Sequence, residues 1–571
     1  MHGFRMGGMS DTLAQWQRAI RIARQQEPAD LCLRGGTVIN VFTGELERSD
    51  VAIADGRIIG VGDFPDAINT VDVQGALLAP SFIDGHIHTE SSLLWITQFA
   101  RAVVPHGTGA IVTDPHEIVN VAGLAGFDAL VAASRDLPID IRFTVPSCVP
   151  ASPHETAGAV MTPANIATGL SSNATVGLGE LMSFPGVLAG DPEIYERLRV
   201  SAGRLRDGHA PGLRGHDLDA YALSGITSDH ESSVLEEGRE KLRRGIFLML
   251  REGSSARNAL DLLPLVDDIT WPRCCFASDD RDCAMLLSDG HMDATLRKVV
   301  AAGLDPVRAI QMSTITTATY WRLDNVGAIA PGYWANIVAL DDLTTFNVAS
   351  VFYRGVRVAN QGAAEFDVKT DIPDELRNSV HIHDLTATDI RLPADTARLA
   401  VGAIDGQIVT RLCEVEPELD GNFAVAAPDR DLLKLVCVER HHATENVGVG
   451  YVQGFGLRSG ALASSIAHDA HNIVAVGASD EDILTAIRAV AETQGGLAIV
   501  RDGQLVDRMP LPIAGILSDE PLEVAAATYE RLEQHARDLG STLHSPFGLL
   551  AFLALSVIPE ARVTDQGFVI V

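Results

Sequence analysis

Short apolar runs, each closed by polar residues, dominate the first two-thirds of the chain. Between residues 31 and 78, LCLRGGTVINV and VAIADGRIIGVG alternate apolar and polar positions, with Gly and Asp at the turns. That period predicts β-strands buried on one face. LLAPSFIDGHIHTE then reads as one apolar strand ending in two histidines. From about Pro80 to Ala318, apolar segments (GAIVTD, IRFTVPS, VGLGE, DGHA, GITSDH, FLMLRE, CCFASDD) alternate with helical stretches such as SVLEEGREKLRRG. This alternation predicts an α/β fold, a parallel sheet closed as a (β/α)8 TIM-like barrel. Polar and charged residues gather where each strand stops, which in such barrels is the catalytic rim.

The flanks read differently. VGAIAPGYWANIVALD and NVASVFYRGVRVAN are strand-like again and are expected to complete the sheet begun before the barrel. The result would be a small β-sandwich domain split around it. Gln361 to Asp389 turns polar and contains proline, as a linker does. Beyond it, strands (LVCVER, NIVAVGA, LAIVRDG) and helices (EDILTAIRAVAETQ, LEVAAATYERLEQHARDL) predict a C-terminal α+β domain. Asp11 to Gln26 predicts an amphipathic helix with Leu13, Trp16, Ile20 and Ile22 on one face. The expected organisation is a helical segment over 1–30, a composite β domain of 31–79 with 320–362, a metal-binding barrel over 80–319 and a C-terminal domain over 363–571.

Composition narrows the function classes. The 75 acidic and 44 basic residues give a net charge of −31, which repels phosphate backbones and argues against nucleic acid as a partner. The same charge is also that of an ordinary solvated acidic surface, and it names no substrate. Seven scattered cysteines show no disulfide or zinc-knuckle spacing, pointing to a reducing, cytoplasmic setting. No unbroken apolar run of membrane length appears, and the first thirty residues have no apolar core of a secretory signal.

The candidate chemistry lies at the strand ends. His86 and His88, two apart on a strand, point to the same side and can reach one metal ion. Two ordinary surface histidines would look the same in isolation. His209 in RDGHAPGL and His230 in ITSDHESS each close an apolar segment, as do Glu180 after VGLG and Asp279 after CCFAS. Four imidazoles and two carboxylates exceed what one tetrahedral ion needs, and the surplus argues for two metals. Either acid could instead orient a histidine from behind. Thr113-Asp114-Pro115-His116-Glu117 places two acids and a histidine just past a strand end. Glu117 is the chosen proton carrier, with Asp114 and His116 holding the site or touching substrate. Asp114 as N-cap, Pro115 at N1 and Glu117 at N3 would equally make a helix start. Glu90, Ser91 and Ser92 could read a substrate edge or cap the next helix; Ser147 and Cys148 share that ambiguity. Late in the chain stand Glu439, Arg440, His441, His442, His468, Asp469 and His471. A polar turn or subunit contact is the favoured reading of the last three, with metal ligation the alternative; some of these residues could also cover the barrel mouth and exclude water.

These segments resemble the amidohydrolase superfamily and, within it, the adenine deaminase family. The resemblance is carried by SFIDGHIHTESSLL, TDPHEIVNVAG, PSCVPA, GLGELMSFPGV, DGHAPGL, ITSDHESS, EEGREKLRRG, REGSSARN, ASDDR, GFGLRSGALASSIAHDAHNIVAVG and MPLPIAGILS, from about residue 30 to the C-terminus. It implies His86 and His88 on one metal, His209 and His230 on the other, and Glu180 bridging. Asp279 would be a further ligand and an assistant in proton transfer. It also implies a paired manganese or iron(II) site, with zinc an alternative. The implied reaction is hydrolysis of adenine to hypoxanthine and ammonia in purine salvage. The partner is then a small purine base, with a homo-oligomer, a dimer, expected. After Asp279-Asp280-Arg281 the chain has Asp282-Cys283, where a proline often follows nearby in the family; this departure bears on substrate detail. A hydrolase of another cyclic amine or amide, or a non-catalytic metal- or ligand-binding barrel, stays open at this point.

Overall fold

A computed structural model describes residues 12–254 and 256–571. Eight segments run in order: β1 (Phe82–His88), β2 (Thr108–Thr113), β3 (Asp140–Val145), β4 (Thr175–Leu181), β5 (Leu205–Gly208), β6 (Ser228–Asp229), β7 (Phe247–Arg251) and β8, broken at Ser278 into Cys274–Ala277 and Asp279–Asp280. β1 to β5 pair in parallel, as do β6, β7 and the first half of β8. The second half of β8 pairs with β1, and Thr227 N donates to Arg206 O at 3.1 Å between β5 and β6. The strand order is therefore that of the expected barrel. Every residue of β1 is buried, as a strand covered on both faces must be. At Asp279 the backbone turns left-handed (φ 59°), a conformation that Asp tolerates better than most side chains do.

The segment LLAPSFIDGHIHTE is not one strand. Leu77–Pro80 pairs with Ile337–Leu340 in a nine-stranded sheet, and β1 begins only at Phe82. Pro80 lacks the donor to continue a ladder, and Ser81 N crosses to Asn336 O at 3.0 Å. The nine-stranded sheet joins Ala29–Ile39, Leu46–Ala54 and Arg57–Gly62 to Val348–Tyr353 and Val356–Asn360, so chain from both sides of the barrel shares it.

Helix α1 (Leu13–Ala23) starts with a capping box between Thr12 and Gln15; the expected start at Asp11 lies outside the described residues. The expected apolar face is a correction: Leu13, Trp16 and Ile20 are exposed and only Ile22 is buried. Ion pairs from Arg18 to Glu27 and Asp30 anchor the helix instead.

Helix α2 (His116–Ala133) has the length and apolar composition of a membrane span, although no unbroken apolar run announced it. It is 67% buried in the fold, kinks at Gly123 and begins at the barrel mouth, as a core helix does.

The C-terminal part holds an eight-stranded sheet that includes β9 (Leu433–Val438), β10 (Ala461–Ser464) and β11 (Ile473–Gly477). The connection from β10 to β11 carries His468, Asp469 and His471. Residues 468–470 form a turn, and all three of these side chains are buried rather than exposed on the surface. One apolar cluster runs through both halves, joining Trp95, Phe99 and Phe127 to Leu517, Leu522 and Leu550 of the C-terminal part, which also contains helix α3 (Pro546–Phe552). Burial of so many large side chains fixes the C-terminal part over the barrel rim.

The β10–β11 connection is tied down by Asp565, whose Oδ1 accepts from Asn472 Nδ2 (3.2 Å) and Thr156 N (3.0 Å). Next to it, a Cβ at Gly448 would stand 1.7 Å from the Thr564 carbonyl oxygen. Gly448→Ala must therefore push the 561–570 hairpin away. We expect a loss of about 2 kcal/mol from overpacking against backbone, read as a lowered thermal midpoint.

Candidate active site

The side chains at the strand ends converge. His86 Nε2 and His88 Nε2 are 3.2 Å apart, pointing at one another's space from β1. Each ring is fixed from behind: His86 Nδ1 pairs with Asp207 Oδ2 at 2.7 Å, and His88 Nδ1 donates to Asp114 O at 2.8 Å. Glu180, at the end of β4, divides its carboxylate. Oε1 is 3.2 Å from His88 Nε2 and 3.3 Å from His116 Nδ1; Oε2 is 2.6 Å from His209 Nδ1 and 3.3 Å from His230 Nε2. Asp279 Oδ1 lies 3.5 Å from both His86 Nε2 and His88 Nε2, and 3.6 Å from His230 Nε2.

The contacts of Glu180 with His116, His209 and His230 are not hydrogen bonds. His209 Nδ1, His230 Nε2, His116 Nδ1 and Glu180 Oε2 are all buried without a hydrogen-bond partner. Unpaired buried polar atoms are costly, and here they aim at common points rather than at each other. His86, His88 and Glu180 form one group with donor atoms within 4.8 Å; Glu180, His209 and His230 form a second; His86, His230 and Asp279 form a third. Imidazole and carboxylate donors in this pattern fit divalent cations. The field agrees. Burial opposes a charged His86, yet Asp207 holds it up to about 10; burial likewise opposes His209, and Glu231 and Glu180 hold it up to about 9. The carboxylates demand positive charge at this place.

Several neighbours were not singled out from the sequence. Asp207 and Asp84 stand two residues before His209 and His86, and the strand period that groups the histidines groups these acids with them. Asp84 accepts from Ser278 and His86 N and lies 3.0 Å from His291 Nε2. Arg251, at the end of β7, pairs with Glu231 and holds Asp279 Oδ2 at 3.1 Å. Burial resists ionisation of Asp279, but the Arg251 charge and the His86 and His88 contacts hold its carboxyl well below the usual range.

The DPHE segment corrects one expectation. The helix begins at His116 with Pro115 at the cap and no side-chain cap bond. Asp114 instead accepts from Glu180 N at 2.7 Å through Oδ2, bracing the carboxylate that divides the two histidine groups. Glu117 meets the C-terminal part. His468 Nδ1 lies 2.5 Å from its Oε1, and His471 Nε2 contacts its Oε2. Burial would raise Glu117, but His468, His471 and His116 hold it well below the usual carboxylate range.

Ser91 donates to Asp280 and lines a 670 Å³ cavity with Asp280 and His468. Glu90 and Ser92 turn to the backbone instead. Glu90 Oε1 accepts from Ile118 N at 3.2 Å, and Ser92 Oγ donates to Thr89 O at 2.6 Å. Burial and the Glu117 charge push Glu90 up to about 7. Ser147 Oγ donates to Glu180 O at 2.6 Å, with Cys148 beside it, so both stand behind the carboxylate.

Known proteins match both halves. The amidohydrolase family model matches residues 77–358, and the adenine deaminase C-terminal domain model matches residues 407–571. The chain is 48% identical over 551 residues to an adenine deaminase of Dehalococcoides mccartyi (strain CBDB1), covering 96% of each chain. It is 45% identical to adenine deaminase 2 of Carboxydothermus hydrogenoformans (strain ATCC BAA-161 / DSM 6008 / Z-2901), covering 96% of this chain and 97% of that one. Among solved structures it is similar to dihydropyrimidinase from Brevibacillus agri NCHU1002, with a TM-score of 0.45 and 15% identity over 58% of this chain and 96% of that one.

Asp207 provides the test of the donor set. Asp207→Asn removes the charge behind His86 while keeping an acceptor. Metal affinity should fall by about 10–100-fold, as for other outer-sphere partners, with the circular dichroism spectrum unchanged; chelator competition reads it.

Proposed function

The chain belongs to the adenine deaminase family of the amidohydrolases, and on that premise we propose that it hydrolyses adenine to hypoxanthine and ammonia, a step of purine salvage. The observation that carries the reading is the divided Glu180 carboxylate, with one oxygen in each of two buried histidine groups. His86 and His88 would hold one divalent cation and His209 and His230 a second, with Glu180 between them and Asp279 as a further ligand. Manganese or iron(II) suits these donors, as does zinc. Bound there, such cations would lower the pKa of a water molecule and furnish a nucleophile near neutral pH.

The rest falls to the chain's own residues. Addition of water at the amine-bearing carbon leaves two protons to place, one on the departing amine and one on a ring nitrogen. Asp279 is the first carrier: Arg251 occupies its Oδ2, leaving Oδ1 toward the histidines. Glu117 and its surroundings form the second, on the cavity side. Asp114 and His116 brace Glu180 and Glu117. The cavity, bounded by Ser91, Asp280 and His468, suits a small flat ring, and Ser91 is the residue of the 90–92 trio placed to touch its edge. Asp282, the departure from the family pattern, also lines it.

The same reading divides the chain into 31–79 with 320–362, 80–319 and 363–571, with the reaction between the last two. It places the protein in the cytoplasm, supported by seven free cysteines, as a homodimer detectable by sedimentation.

Metal-replete protein should release ammonia from adenine, and chelator treatment should stop it. Ammonia from a different ring alone would assign the chain to another cyclic-amine hydrolase. Silence toward every purine would leave a binding protein. Glu117→Gln should lower kcat by about 10²–10⁴-fold with metal content unchanged, the range of general acid–base contributions; full activity in that variant would refute the role.

A further inference from the structure

Glu117 is held in a way that keeps it from handing a proton directly to a substrate. Its Oε1 pairs with His468 Nδ1 at 2.5 Å, its Oε2 with His471 Nε2, and His116 Nε2 stands 3.3 Å from Oε1. The state of His471 is fixed from its other side. Ala467 N–H donates to His471 Nδ1 at 3.3 Å, so Nε2 carries the ring hydrogen and donates to Glu117. The same bond argues against Glu117, His468 and His471 as a separate metal site, although their donor atoms lie within 4.8 Å. A cation on His471 Nε2 would require the hydrogen on Nδ1, where a donor already points.

His468 is the member of this group that reaches the cavity. Three contacts fix it. Its backbone N–H donates to Ala551 O at 2.9 Å, its ring stacks on Phe552 with centroids 4.4 Å apart and planes 19° apart, and its Nδ1 is on Glu117. Among the described residues, Nε2 has no hydrogen-bond partner. An imidazole with one nitrogen on a buried carboxylate and the other free at a cavity wall is arranged as a general acid–base, and its fixed ring is preorganised for that work.

We propose that His468 is a catalytic residue whose Nε2 supplies the proton that ends on the purine ring, with Glu117 and His471 behind it as positioning residues. The inference rests on the deaminase reading and moves the second proton carrier from Glu117 to the imidazole in front of it. As the water oxygen bonds to the amine-bearing carbon, Asp279 takes one water proton. The C=N π pair moves to the ring nitrogen, which takes a proton from protonated His468. The C–N bond to the amine then breaks; the amine leaves as ammonia with the proton from Asp279. The remaining hydroxyl proton returns to His468 as C=O forms, which restores both residues. Glu117 stays a carboxylate throughout, balancing the charge on the ring.

Steady-state ammonia release from adenine, measured on metal-replete full-length protein, tests this. His468→Asn should lose about 10²–10⁴-fold in kcat, the range of general acid–base catalysis, with metal content and thermal midpoint kept; added imidazole should restore at least tenfold of the loss. His471→Asn, acting only through Glu117, should lose about tenfold in kcat with KM unchanged and gain nothing from imidazole. A kcat for His468→Asn within threefold of wild type overturns the proposal. Should that variant fail to fold, Phe552→Leu, which frees the ring, should lower kcat about tenfold at constant KM, and an unchanged kcat there overturns it equally. Wild-type protein silent toward adenine would instead overturn the deaminase reading itself.

Discussion

Everything at the barrel mouth depends on one carboxylate placed between two sets of imidazoles. Glu180 is buried, and each of its oxygens faces two histidine nitrogens. Several of these atoms have no hydrogen-bond partner in the protein. A fold does not leave such atoms unpaired at random, because each costs free energy that burial of apolar surface must offset. The cost is accepted where a cation completes the set. The surrounding bonds follow from this constraint. Asp207, Asp114 and Ser147 do not face the common points themselves; they fix the rings and the strand end that do.

The C-terminal part is then more than a lid. Its apolar side chains share one core with the barrel helices, so the β10–β11 connection is held over the strand ends with little freedom. That connection brings two imidazoles onto Glu117, at the start of a barrel helix. The barrel supplies the carboxylate and the C-terminal part supplies the rings, and neither half alone contains the finished arrangement.

The sequence made the barrel and its donors legible because both obey short periods. Alternation by two placed His86 with His88, and each remaining donor closed its own apolar strand. Residues without a local signature are not legible in this way. Arg251 reads as an ordinary strand-end cation; only the fold brings it to Asp279. Asp207 was within reach of the same period-two argument, but an acid two residues before a histidine is common. The link from Glu117 to His468 spans 351 residues and could not be read from spacing at all. The expected cap at Asp114 failed for a related reason. The local rule that places an acid before a helix was outweighed by the Glu180 backbone N–H, 66 residues away. The exposed face of α1 shows the converse: the helical period was right, yet Arg18 and its acidic partners, rather than Leu13, Trp16 and Ile20, hold that helix in place.

Asp279 and Glu117 differ in how their partners hold them. Arg251 occupies one oxygen of Asp279 and leaves the other toward the histidines, so this carboxylate faces the donor set with a single oxygen. Glu117 has both oxygens engaged by imidazoles and contributes charge rather than a free acceptor. The cavity lies on the side of His468; Glu117 and His471 stand behind that ring and do not line it.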